Sequence, residues 1–163
     1  MRKITKLLAC IDFSEYSKET LEYAMALAPE KATITLLNVI NSRDLSAVRS
    51  VSAYFPDPNV VEQFVEKNRE IRLKNMKRLI EENFRPYADK CTILIKVGVP
   101  FEEILDTVVK DNIDLVVMGG KGRSNLARTL FGSNAEKVFR HSPVPVLSVR
   151  NRASASPRLD EQA

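Results

Sequence analysis

Two spacings of apolar residues alternate along the chain, and each marks a different kind of element. Short aliphatic runs read as buried strands, and stretches with apolar residues three or four apart read as helices. The first run, "KLLACI" (6–11), predicts a strand. It is followed by "KETLEYAMALA", where Leu21, Ala24, Met25 and Ala28 share one helical face, with Ser14 or Ser17 as N-cap and Pro29 just past the end. "ATITLLNVI" (32–40) is rich in β-branched residues and predicts the second strand. Residues 41–59 carry two prolines and no sustained periodicity, which predicts a long surface loop. From about 60 to 84, Val61, Phe64, Val65, Leu73, Met76, Leu79, Ile80 and Phe84 line one side of a long helix whose other side is densely charged.

The alternation then continues. "CTILIKVG" (91–98) is the third strand, and "PFEEILDTVVKDN" a helix with proline at its first position and Ile104, Leu105, Val108 and Val109 facing inward. "DLVVMG" is the fourth strand, "SNAEKVFRHS" a short helix, and "VPVLSVR" the fifth strand. Residues 151–163 are small, polar and unpatterned, and are expected to be a disordered tail. Strands separated by helices predict a parallel sheet covered on both faces, because crossover connections lay the helices on those faces. In such sheets ligands bind beyond the carboxyl ends of the strands. The loops that open at Asp12, Val39 and Gly119 are therefore the expected site.

Composition narrows this picture without changing it. At 163 residues and 44% hydrophobic, the chain supports one domain, expected over residues 1–150. Its apolar runs are too short to span a bilayer or serve as a secretory signal, so a cytoplasmic location and no membrane partner are expected. The 25 basic and 21 acidic residues are interspersed and tryptophan is absent, which argues against a nucleic-acid partner. Cys10 and Cys91 sit within strand-like runs, where a thiol acts as a small buried hydrophobe rather than half of a disulfide. With a single histidine, His141 at the end of the last helix, the chain cannot assemble a thiolate or histidine metal cluster. No catalytic residue stands out.

The chemistry concentrates in "GGKGRSNLARTLFGS" (119–133), which holds four of the five glycines and the cations Lys121, Arg123 and Arg128. Glycine admits positive φ and lets backbone N–H groups approach an anion without a Cβ in the way. The stretch also runs into a helix N-terminus, whose unpaired donors favour negative charge. The nine residues between Gly122 and Gly132 can bulge out and return, since they span up to ~30 Å when extended. The ordinary alternative is a βα connection whose glycines only serve turns. The spacing is neither a Walker A loop nor a dinucleotide fingerprint.

"GGKG", nine residues, then "GS" resembles the G-2x-G-9x-G-S/T signature of the ATP-binding branch of the universal stress protein family. The resemblance extends to "IDFSE", "LLNV", "VGVPFEEIL" and "GSNAEKVFRHSPVPVLSVR", and so covers residues 3 to 150. It implies a Rossmann-like α/β domain with an open five-stranded parallel sheet in order 3-2-1-4-5. It also implies an adenine nucleotide, ATP or else ADP or AMP, with Mg2+. Cys10, Ile11 and Asp12 would flank the nucleoside, and Val39 would meet adenine through its backbone. Gly119 and Gly122 would line the ribose and phosphates, and Gly132, Ser133 and Asn134 the phosphates. Gly120, Lys121, Arg123, Ser124 and Asn125 complete the implied loop. Cys10 departs from the proline seen in some ATP-binding members, and Asn134 from the usual aliphatic residue. The family resemblance further implies a homodimer through the fifth strand (144–149). The implied function is a nucleotide-binding regulatory module of the stress response, with slow hydrolysis at most. An ATP-hydrolysing or adenylate-transferring enzyme of a related fold is the alternative. A phosphoacceptor receiver domain fits poorly, since "VGVP" and "VRNR" stand where its aspartate and lysine belong.

Overall fold

The computed structural model describes residues 3–52, 59–120 and 132–150. Strands β1 (Lys6–Cys10), β2 (Thr33–Asn41), β3 (Cys91–Gly98), β4 (Leu115–Gly119) and β5 (Val146–Val149) form one sheet in order β3-β2-β1-β4-β5. Every neighbouring pair is parallel. The helices are α1 (Ser17–Leu27), α2 (Ser42–Ser52), α3 (Val60–Asn83), α4 (Pro100–Lys110) and α5 (Ser133–His141), and a short 3-10 turn (Arg85–Lys90) precedes β3.

Side chains alternate across a strand, so each aliphatic run feeds two cores. Leu7, Ala9, Ile34, Leu36 and Val117 pack under Leu21, Ala24 and Met25 of α1 and Met76 and Ile80 of α3. Leu8, Leu37, Val116 and Met118 face the other way, against Ile104 and Val108 of α4 and Ala135 and Val138 of α5. Burying each of these Leu, Ile, Val and Met side chains contributes about 1.5–3 kcal/mol. Among the described residues, no helix is long and apolar enough to cross a membrane.

The expected loop at 41–59 is instead helical over Ser42–Ser52. Asn41 Oδ1 accepts the Arg43 N–H at 3.0 Å, an N-cap, and Asp44 adds negative charge in the first turn. Leu45 then buries against Ile40 and Ile95 in a third, smaller core, with Phe64 and Val65 of α3 at its margin. Two inward-facing expectations also fail. Leu73 is exposed, and Val109 is 66% exposed because the α4 face that meets the sheet is centred on Ile104 and Val108. Helix α1 begins at Ser17 itself, preceded by Tyr16 without a side-chain cap. Strand β5 begins at Val146, two residues later than expected. Helix α4 ends in a Schellman motif: Ile113 N–H bonds the Val108 carbonyl and Asn112 N–H that of Val109, with Asn112 left-handed at φ 53°.

The turn from β3 into α4 is fixed by close approach. A Cβ on Gly98 would fall on the Glu103 carboxylate, 2.8 Å from its Cγ. Glu103 and Asp106 meet Lys96 of β3 at 3.1 and 2.7 Å, tying the start of α4 to the sheet edge.

Candidate functional site

A cleft of about 430 Å³ opens beyond the carboxyl ends of β1, β2 and β4. It is walled by the first turns of α4 and α5, by Tyr16 and Thr20 beside α1, and by Arg72 reaching in from α3. Of the residues expected there, Cys10, Ile11, Asp12, Val39, Gly119, Gly132, Ser133 and Asn134 line it. Lys121, Gly122, Arg123, Ser124 and Asn125 lie outside the described residues.

Gly120 has a different task from a wall residue. Its N–H donates to the Val149 carbonyl at 2.8 Å, and its own carbonyl accepts the Gly132 N–H at 2.8 Å. Gly120 and Gly132 are therefore held side by side next to the end of β5. None of the described glycines has a positive φ, so there the absence of a Cβ matters rather than a left-handed backbone.

At the α5 end, Gly132 is an extended N-cap at φ −71° and ψ 151°, with no side-chain cap bond. The first-turn N–H groups of Ser133, Asn134 and Ala135 have no carbonyl one turn back within the helix, and all three residues line the cleft. Glu136 N–H is the first to close a helical bond, onto the Gly132 carbonyl. This end offers donors and partial positive charge, which suits an anion.

Asp12 opens the loop after β1. Its Oδ1 accepts the Ser14 N–H at 3.0 Å and the Ser17 hydroxyl at 3.2 Å, so it shapes the approach to α1 as well as lining the cleft. The reversal is tight enough to hold Phe13 at φ 60°, a left-handed conformation unusual for an aromatic residue. Beside it, burial and then the Asp12 charge push the Cys10 thiol up to about 12, so it stands in the wall as a neutral group.

The β2 end is read from its ladder. Ile11 N–H bonds the Leu37 carbonyl at 2.9 Å, so Leu37 faces β1. By the two-residue period, Val39 N–H and C=O face the same side, beyond the point where β1 has left the sheet. Val39 thus presents a donor and an acceptor side by side to the cleft, the carbonyl also accepting a long bond from Arg72 Nη1 at 3.5 Å. From this end to the β4 end is two inter-strand spacings, ~10 Å.

Sequence reading passed over Asn38, Asn41, Asp44, Arg72 and Met118, all of which line the cleft. Asn38 carried a signal: it is the polar interruption in an aliphatic strand. Arg72 carried none, standing among many charges on α3. Among the described residues, no group of three or more His, Cys, Asp or Glu side chains could hold a metal ion.

Comparison with known proteins gives this geometry a family. Residues 3–150 match the profile of the Universal stress protein family. Universal stress protein MJ0577 of Methanocaldococcus jannaschii is 30% identical over 156 residues, covering 91% of this chain and 96% of that one. The solved structure of MJ0577 superposes with a TM-score of 0.76 at 29% identity, over 91% of this chain and 96% of its own. A universal stress protein in complex with cAMP gives a TM-score of 0.60 at 21% identity, covering 91% and 98% of the two chains. One from Arabidopsis thaliana with AMP bound gives 0.57 at 18%, covering 94% and 97%. With its sheet order, its cleft and a family match running from residue 3 to residue 150, this chain belongs to the universal stress protein family.

Proposed function

We propose that this protein is a cytoplasmic regulatory module that binds an adenine nucleotide, ATP or its di- or monophosphate, in the cleft at the carboxyl ends of β1, β2 and β4. The observation that carries the reading is the pairing of two unlike ends in one cleft. Val39 offers a main-chain donor and acceptor suited to a base edge, and the open first turn of α5 offers N–H groups suited to phosphate. The aliphatic wall between them, Ile11, Leu37 and Met118, suits a purine and sugar. Two structures of the same fold are of proteins complexed with adenine nucleotides, cAMP and AMP.

Magnesium fits as a companion of the phosphates, since that ion keeps most of its waters and needs only one or two carboxylates. Asp12 and Asp44 are carboxylates that line the cleft. Binding outweighs turnover in this reading. Hydrolysis needs a base or a positioned acid at the phosphate end, and Asp12 Oδ1 is already engaged by Ser14 and Ser17. The module is further proposed to pair with a second copy along β5, the edge of the sheet beyond β4.

A thermal melt tests the site. Nucleotide at 100 times its dissociation constant adds about 2.7 kcal/mol of apparent stability. ATP with Mg2+ should raise the Tm of the natural protein, and Gly132→Val, which crowds the α5 N-terminus, should abolish that rise. His141→Ala, at the far end of the same helix, should keep it. Equal shifts in all three would refute the site.

A further inference from the structure

Arg72 stands apart from the charged residues around it on α3. It is half-buried, and its Nη1 donates to Asn38 Oδ1 at 2.7 Å and, at a longer 3.5 Å, to one side of the Val39 carbonyl. Asn38 is 2% exposed, and its Nδ2 donates to the Ile11 carbonyl at 2.6 Å. The register shows what this chain of bonds displaces. After Ile11 N–H to the Leu37 carbonyl, the next rung of a parallel ladder would run from Val39 N–H to the Ile11 carbonyl. Asn38 supplies a donor to that carbonyl, and Arg72 fixes which way the Asn38 amide points. Without Arg72 the amide can turn over, and the Ile11 carbonyl regains a use for the Val39 N–H.

We infer that Arg72 is a positioning residue which, through Asn38, keeps the Val39 main-chain pair turned to the cleft and so sets the preference for a 6-aminopurine. The inference rests on the nucleotide reading above. A carbonyl beside an N–H matches the 6-amine and N1 of adenine, a donor beside an acceptor. Hypoxanthine carries a 6-oxo group and an N1–H, the reverse arrangement. Base discrimination therefore reports on Val39, whereas overall affinity also reports on the phosphate end.

The test is calorimetric titration of natural protein, Arg72→Met and Arg72→Lys with ATP and with inosine triphosphate, both with Mg2+. The natural protein should prefer ATP by about tenfold or more. In Arg72→Met that ratio should collapse to about threefold or less. Arg72→Lys, which keeps a donor for Asn38 Oδ1, should restore most of it. A merely structural role would weaken both ligands alike. An unchanged ratio in Arg72→Met, at whatever absolute affinity, overturns the inference, as does a natural protein that binds both nucleotides equally. A natural protein that binds neither overturns the nucleotide reading itself.

Discussion

Cys10 shows how one side chain answers both to the fold and to the site. Burial raises its thiol to about 12, with Asp12 adding to the rise, and burial raises Cys91 to about 11. An unfolded chain would ionise both thiols near 9. As pH climbs above that value the unfolded state releases protons that the folded state still holds, so stability falls. The contribution is whole below pH ~9 and lost progressively toward 11 and 12. Urea melts at pH 8 and 10.5 should show a loss of stability for the natural protein, and a smaller loss for Cys10→Ala/Cys91→Ala. A loss as large in the double variant would mean that other groups carry it. For the same reason Cys10 should alkylate slowly at pH 8, where burial keeps its thiol protonated.

Among the elements, the junction of β4 and β5 is where the glycine signature meets the sheet. A Cβ on Gly120 would sit 2.8 Å from Ser148 Oγ and 3.4 Å from the Val149 carbonyl. Ser148 Oγ is itself buried without a hydrogen-bond partner. Gly120→Ala should therefore cost about 1–3 kcal/mol by crowding, while Ser148→Ala should cost little. The double variant should be markedly less destabilised than Gly120→Ala alone, since the crowding atom is gone. Additive effects in chemical denaturation would locate the strain elsewhere.

Legibility in the sequence follows from the same contacts. Strands with continuous aliphatic runs were plain, because burial on both faces leaves no room for polar residues. Helix α2 was hidden by its serines: Ser46 and Ser50 turn their hydroxyls back onto carbonyls one turn earlier, at 3.1 and 3.0 Å. Its one clear mark, Asn41 three residues before Asp44, is a capping signal easily read as loop. Val109 and Leu73 misled because a helical face is wider than the strip that meets the sheet. Of the cleft lining, Gly119, Gly132 and the α5 start were legible from spacing. The Arg72–Asn38–Ile11 chain was not, because it joins residues 34 and 27 positions apart through a contact only the fold creates.

Across the whole molecule, two features bear on function, the β5 edge of the sheet and the cleft. The Pro145 and Val149 carbonyls accept bonds from β4, so the groups of Leu147, midway between them, also face inward. Those of Val146 and Ser148 face away from β4, on the outer side of the last strand of the sheet. Leu147→Pro would consequently damage the sheet itself, and Val146→Pro is the cleaner probe of the proposed pairing. Light scattering should find a dimer for the natural protein and for a chain ended at Arg150, and a folded monomer for Val146→Pro. A monomeric natural protein at micromolar concentration would sink the pairing and leave the cleft untouched. The cleft is tested most directly by native mass spectrometry of the protein with ATP and Mg2+. A saturable mass increase of one nucleotide per chain, lost in Gly132→Val, is the expected result. A spectrum with no bound nucleotide at millimolar ATP would contradict it.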